Sequence, residues 1–165
     1  MRDDVTTTTE KAPLTKNAEG KITYTPTDGR LLDVENLHVE FHTDDGVARA
    51  INGVNFHLDA GESLAILGES GSGKSVTAQA IMGILDMPPA KIPDGAIKYC
   101  GHDLLTMPDD QRRWVRGAEI AMIFQDALSS LNPVFPVGWQ IAEMFRQHRG
   151  MNKSDSLAQA VRPME

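Results

Sequence analysis

A glycine-rich segment at residues 68–75, GESGSGKS, limits the folds open to this chain more than any other part of its sequence. The short apolar run before it, residues 63–67, predicts a central parallel β-strand buried on both faces. Residues 76–85 after it carry apolar side chains at helical spacing. The segment matches G-x-x-x-x-G-K-[ST], the pattern of a glycine-rich loop that leads into a helix and binds phosphate. We therefore predict an α/β fold built around a phosphate-binding loop.

The residue types in this loop suit a polyphosphate. Its glycines allow tight turns and a close approach of the main chain to phosphate. Successive N–H groups then form an anion-binding nest at the positive end of the helix, where Lys74 adds a charge and Ser75 a hydroxyl ligand for Mg²⁺. The alternative is a glycine- and serine-rich turn without a ligand. The predicted phosphate-binding residues are Gly68, Glu69, Ser70, Gly71, Ser72, Gly73, Lys74, Ser75 and Val76.

A second candidate is Gln125, which follows another short apolar run at residues 120–124. That run also predicts a buried strand. Open α/β sheets bind ligands at the carboxyl ends of their strands, so the Gln125 amide could reach a metal ion or an attacking water. The alternative is a glutamine that only caps a loop, and the residues alone leave both interpretations open.

The remaining sequence predicts strands before the loop and helices after it. Apolar and polar residues alternate at 37–42 and again, more loosely, at 47–58, which predicts a hairpin with its turn at residues 44–46. A short strand is expected at 95–100 and helices at 108–116, 137–149 and about 154–161. Residues 1–30 hold few large apolar side chains, so we expect a disordered or loosely packed tail.

Composition excludes several classes of protein. The 165 residues include 16 basic and 23 acidic side chains, and the net charge of -7 argues against a nucleic-acid partner. No apolar run approaches the length of a membrane-spanning helix, and the first residues show no secretory signal. Cys100 is the single cysteine, which excludes an internal disulfide and a cysteine-based zinc cluster and suits a reducing cytosol.

Together these residues resemble the ATP-binding subunits of ABC transporters. The segments that carry the resemblance are residues 51–67 (INGVNFHLDAGESLAIL), the loop at 68–75 and residues 121–133 (AMIFQDALSSLNP). The stretch SSLNP narrows the resemblance to the ATP-binding subunits of dipeptide and oligopeptide importers. The resemblance covers about residues 31–160, the amino-terminal half of such a subunit. It implies a P-loop NTPase fold of the ABC type with an antiparallel β subdomain and, from about residue 134, the start of a helical subdomain.

The resemblance implies roles for individual residues and partners. Lys74 and Gln125 would serve catalysis, and Ser75 and Gln125 would contact Mg²⁺ beside ATP. Phe41 lies near the position at which an aromatic ring stacks on adenine, although many family members have tyrosine there, and a plain core residue is the equal alternative. Implied partners are integral-membrane permease subunits, a second ATP-binding subunit (identical or different) and, indirectly, a solute-binding protein. The expected location is peripheral, on the cytoplasmic face of the cell membrane.

The sequence also departs from the family pattern. The 165 residues hold no LSGGQ-like signature, no apolar strand ending in Asp-Glu and no switch histidine. The expected chain is therefore a truncated ATP-binding domain that binds ATP but hydrolyses it negligibly by itself. A non-catalytic ATP-binding remnant acting as an interaction module is one alternative. A small P-loop kinase is another, disfavoured because the early antiparallel strands and residues 125–133 have no role in one.

Overall fold

The computed structural model describes residues 15–16, 22–26, 29–125 and 131–161. The chain divides into two compact units, Met1–Arg112 and Arg113–Glu165. The expected start of a helical subdomain at about residue 134 stays a prediction. Residues Asp109–Ala118 form a helix whose backbone dihedral angles become non-helical at Arg116 and Gly117.

A long antiparallel hairpin forms the frame of the first unit. Strand β3 (Arg30–Thr43) pairs with β4 (Gly46–Asp59), and Thr43 lies opposite Gly46 across a two-residue turn. Gly46 has a φ of 130°, a conformation that side-chain-bearing residues rarely adopt. The predicted hairpin and its turn are confirmed. Two short strands, β1 (Thr15–Lys16) and β2 (Ile22–Thr23), precede it as a separate antiparallel pair.

Three further strands widen the hairpin into a five-stranded antiparallel sheet. β6 (Ala96–Tyr99) pairs with the start of β3 and with β7 (His102–Asp103), while β5 (Ala90–Lys91) pairs with β3 near its end. The prediction of a short strand at 95–100 is confirmed. Strand β3 has hydrogen-bonded neighbours on both sides, and its residues Leu37 and Val39 have no exposed surface.

Tyr24 extends this core into the predicted tail. Its ring lies 5.7 Å from that of Tyr99 and 5.4 Å from that of His102, and its side chain is buried. The expectation of a loosely packed tail is therefore wrong at Tyr24. Its aromatic ring supplies the apolar surface that the polar residues around it lack. Most of the rest of that tail, residues 1–14, 17–21 and 27–28, lies outside the described residues.

Two strand predictions are wrong. Residues 62–69 have no regular secondary structure, and Leu67 is 91% exposed. Residues 121–124 are likewise irregular, Ile123 is 96% exposed, and Ile120 makes only an isolated bridge to Arg116. A strand requires a neighbour that accepts its N–H and C=O groups, and no strand in the described part of the chain pairs with either run. The expected central parallel strand is therefore not present among these residues.

The helices agree well with their predictions. They are α1 (Lys74–Met82), α2 (Asp109–Ala118), α3 (Val137–Arg149) and α4 (Lys153–Val161). Helix α3 follows Pro136 and ends at Gly150, whose φ of 63° closes the helix. Helices α3 and α4 pack within the second unit on small residues, since Ala142, Ser156 and Ala160 have no exposed surface. Across the described ranges, no helix combines the length and the apolar character needed to cross a bilayer.

Candidate functional site

Gly73 is the point at which the glycine-rich loop enters α1. It has a φ of 86°, and a Cβ atom placed on it would lie 2.7 Å from the carbonyl oxygen of Ala50 on β4. Real Cβ atoms do not approach a backbone oxygen this closely, so both the dihedral angle and the space require glycine. Gly71 also has a positive φ, 81°, but a Cβ there would have no atom within 4 Å. The sheet thus contacts the loop at one of its two left-handed glycines.

The two glycines offer a matched test of this contact. We expect Gly71→Ala to lower the free energy of unfolding by about 1 kcal/mol, the cost of the left-handed backbone alone. Gly73→Ala should cost about 1–2 kcal/mol more, because the loop must also move away from the Ala50 carbonyl. Urea unfolding of the two variants measures the difference. Equal destabilisation would show that the contact between Gly73 and β4 is not rigid.

Lys74 holds the loop together from its other side. Its Nζ donates hydrogen bonds to the carbonyl oxygens of Gly68 and Glu69, at 2.8 and 2.6 Å, and lies 3.3 Å from the hydroxyl of Ser72. The ammonium group, though on the helix, therefore contacts the first residues of the loop. The Lys74 ammonium is surrounded by the main chain of the loop, so it can also contact an anion that the loop binds.

The amino end of α1 is open to a ligand. Its N-cap residue, Gly73, has no side chain to bond the first N–H groups, and the first turn, residues 74–77, carries no acidic side chain. The helix end thus retains its partial positive charge. Free N–H groups, an uncompensated helix dipole and Lys74 together can bind a phosphate chain.

The other predicted loop residues surround this end of the helix. Ser75 is exposed in the first turn of α1, so its hydroxyl oxygen is available to a cation. Oxygen is the ligand type that Mg²⁺ prefers, and the ion needs few ligands from protein when phosphates supply others. Ser75 therefore fits the predicted metal role. Among the described residues, no cluster of three or more His, Cys, Asp or Glu offers a second metal site. Glu69, Ser70 and Ser72 are exposed, and Val76 is partly buried.

Phe41 lies on β3 opposite Ala48 of β4 and Ala90 of β5. It is partly exposed, in contrast to the fully buried Leu37 and Val39 on the same strand. Its partner Ala48 is two residues from Ala50, whose carbonyl meets the loop, so Phe41 is in the part of the hairpin nearest Gly73. The predicted stacking of its ring on adenine stays a prediction.

Gln125 belongs to the second unit, whereas the loop belongs to the first. It is exposed and has no regular secondary structure around it. Residues 126–130, which include part of the SSLNP stretch, lie outside the described residues. The predicted metal contact of Gln125 stays a prediction.

Sequence reasoning missed two residues that contact the loop. One is Ala50, whose carbonyl oxygen limits Gly73, and the other is Thr77, whose hydroxyl bonds to the Gly73 carbonyl at 2.9 Å. The position of Thr77 one turn after Gly73 was a usable signal, since threonine often bonds a carbonyl four residues earlier in a helix. Nothing local marks Ala50, because its contact depends on how the hairpin packs.

Several known proteins are similar to this chain in sequence. The family model described as "ABC transporter" matches residues 51–162. The oligopeptide transport ATP-binding protein OppD of Bacillus subtilis (strain 168) is 50% identical over 136 residues, which cover 82% of this chain and 38% of that protein. The dipeptide transport ATP-binding protein DppD of Lactococcus lactis subsp. cremoris (strain MG1363) is 46% identical over 137 residues, covering 82% of this chain and 39% of that protein.

Solved structures show the same fold. A dimeric structure of MJ0796, a bacterial ABC transporter cassette, superposes with a TM-score of 0.67 at 22% identity and covers 80% of this chain and 55% of that one. A post-hydrolysis state of the same cassette, bound to ADP and Pi, superposes equally well. The chain spans less than half the length of these two curated relatives.

Proposed function

The chain belongs to the ABC transporter family, and from this premise we propose that it binds ATP for the import of peptides or related small solutes. It is a partial ABC ATPase domain. The observation that carries the proposal is the loop at residues 68–75, with its two left-handed glycines, its open helix end and Lys74 beside the loop carbonyls. The names of the relatives, oligopeptide and dipeptide transport proteins, support the peptide class.

We assign protein residues to each part of the nucleotide. The N–H groups of residues 69–76 bind the phosphates, and Lys74 places its charge on the outer ones. The Ser75 hydroxyl would be a ligand of Mg²⁺, which would neutralise charge on the phosphate oxygens. By the family resemblance, Gln125 would contact the same ion. Phe41 stacks on the adenine ring, consistent with its partial exposure near the contact between β4 and the loop.

The proposed membrane partner is a permease subunit that docks on the second unit. Apolar side chains are exposed before and along α3: Val134 is 79% exposed, and Phe135, Val137 and Met144 are also open to solvent. The Phe135 ring stacks on Trp139 at 4.9 Å, and the Arg146 guanidinium lies 5.1 Å from the centre of the Trp139 ring. A surface of this kind suits an amphipathic helix from a membrane protein. We assign residues 134–161 to the helical subdomain that presents it.

The other proposed partners follow from the family. A second ATP-binding subunit, identical or different, would pair with this one, and the dimeric form of the MJ0796 cassette supports that arrangement. A solute-binding protein would act indirectly, through the permease. The proposed location is therefore the cytoplasmic face of the cell membrane, where the protein is held peripherally by its permease.

The test is nucleotide binding and turnover by the 165-residue chain. We expect isothermal titration calorimetry to show saturable binding of ATP that is strengthened by Mg²⁺, and a phosphate-release assay to show negligible steady-state hydrolysis. An absence of ATP binding would overturn the proposal. Phosphate transfer to a small acceptor would instead favour a P-loop kinase. Binding that no permease or second ATP-binding subunit converts into turnover would favour a non-catalytic remnant.

A further inference from the structure

The peptide group between Gly73 and Lys74 is contacted by two elements that lie outside the loop itself. On the β4 side, Val39 pairs with Ile51 and Glu40 with Arg49, so Ala50 is an extra residue without a partner on β3. This β-bulge lies where the Ala50 carbonyl oxygen comes within 2.7 Å of the position of a Cβ on Gly73. β-Bulges often occur next to functional sites, where they redirect main-chain groups.

Helix α1 contacts the same peptide group at its carbonyl oxygen. The Gly73 carbonyl accepts two hydrogen bonds from Thr77, one from the backbone N–H at 2.8 Å and one from the hydroxyl at 2.9 Å. Thr77 is only 5% exposed. Water therefore competes little for this hydroxyl, and the side chain is held on the carbonyl.

The orientation of that carbonyl determines the direction of the Lys74 N–H, which is a proposed hydrogen-bond donor to phosphate. A trans peptide group is planar, so its C=O and the N–H of the next residue point in opposite directions. When Thr77 holds the Gly73 carbonyl along the helix, the Lys74 N–H must point away from the helix at its amino end, where the loop joins it. The bulge at Ala50 limits how far Gly73 can shift in response.

We propose that Thr77 is a positioning residue for the phosphate-binding loop, acting through the Gly73 carbonyl on the direction of the Lys74 amide. The inference rests on the proposed nucleotide-binding function. The simpler interpretation is an ordinary threonine bond within a helix, which would add stability only. The two interpretations differ in one respect. Loss of the Thr77 hydroxyl lowers both nucleotide affinity and stability in the first, but only stability in the second.

The experiment compares Thr77→Val with Thr77→Ser and a control. Valine keeps the shape of threonine and removes its hydroxyl, while serine keeps the hydroxyl. The control is Ser156→Ala, because Ser156 is also buried and its hydroxyl donates to a helix carbonyl, that of Lys153 at 3.1 Å. Calorimetric titration with MgATP and thermal unfolding are measured for each protein, and hydrogen exchange reports on the amides of residues 74–76.

We expect Thr77→Val to bind MgATP about three- to tenfold more weakly, the value of one hydrogen bond, and to exchange its loop amides faster. Thr77→Ser should bind within about twofold of the unmodified chain. Ser156→Ala should lose thermal stability without losing affinity. Thr77→Ala is the second hydroxyl-free variant, and it is expected to lose the same affinity.

Wild-type affinity in Thr77→Val or Thr77→Ala, with Lys74→Ala still impaired, would overturn this inference and leave the proposed function standing. No binding by the unmodified chain would overturn both. If neither hydroxyl-free variant folds, Thr77 serves the fold rather than the loop, and the inference is wrong.

Discussion

Replacing Lys74 by alanine is expected to weaken the binding of MgATP by about 10- to 100-fold. Hydrogen bonds to charged groups are worth about 1.5–3 kcal/mol, and the Lys74 ammonium donates to the loop carbonyls of Gly68 and Glu69. The loss has two sources. The variant removes the positive charge that would lie beside the phosphates, and it also removes the hydrogen bonds to the Gly68 and Glu69 carbonyls. Isothermal titration calorimetry at a fixed ionic strength measures the change.

Lys91→Ala is the matched control for this variant. Lys91 is exposed on β5, in the same unit as the loop, so its removal changes the net charge equally. We expect its affinity for MgATP to stay within about twofold of that of the unmodified chain, because exposed charges away from a ligand are largely screened by salt. Equal binding by Lys74→Ala and the unmodified chain would show that the loop is not the phosphate site.

The second large effect concerns the hydrophobic core and is tested with two leucines that differ in burial. Leu37 on β3 has no exposed surface, whereas Leu67 at the end of the predicted central strand is 91% exposed. Leu37→Ala should lower the free energy of unfolding by about 2–5 kcal/mol, because it removes buried methyl groups and leaves a cavity. Leu67→Ala should change it by less than about 0.5 kcal/mol, as is usual for exposed side chains.

Urea unfolding followed by circular dichroism measures both variants in the 165-residue chain. The comparison also tests whether residues 63–67 are exposed or buried. A buried strand at residues 63–67 predicts that the two substitutions are similarly costly. A large loss in Leu67→Ala would therefore contradict the exposed position of this segment.

The parts of the fold that could be predicted from sequence are those determined by near neighbours in the chain. The hairpin turn before Gly46, the start of α3 after Pro136 and its end at Gly150 are in this class. Each depends on the backbone preference of one residue or on hydrogen bonds within one turn. In the candidate site, the same reasoning identified Gly68, Gly71 and Gly73 as glycines that the loop requires. Gly71 and Gly73 have positive φ values, whereas Gly68 does not.

The predictions that failed required partners far along the chain. The runs at 63–67 and 120–124 have the composition of buried strands, but composition does not supply the neighbouring strand that a ladder needs. The expectation for Tyr24 failed for the opposite reason. Its surroundings in sequence are polar, and only the packing of Tyr99 and His102 against it gives it a place in the core.

The sequence by itself determined the phosphate-loop pattern, the family and the helices after the loop. Backbone dihedral preferences, helix ends and side-chain charge are properties of single residues and of those within one or two turns. Only the tertiary structure showed that the bulge at Ala50 contacts Gly73, that Thr77 is buried as it bonds the same peptide, and that Leu67 is exposed. These features depend on which distant segments pack together, because burial and main-chain pairing exist only where a second segment provides them.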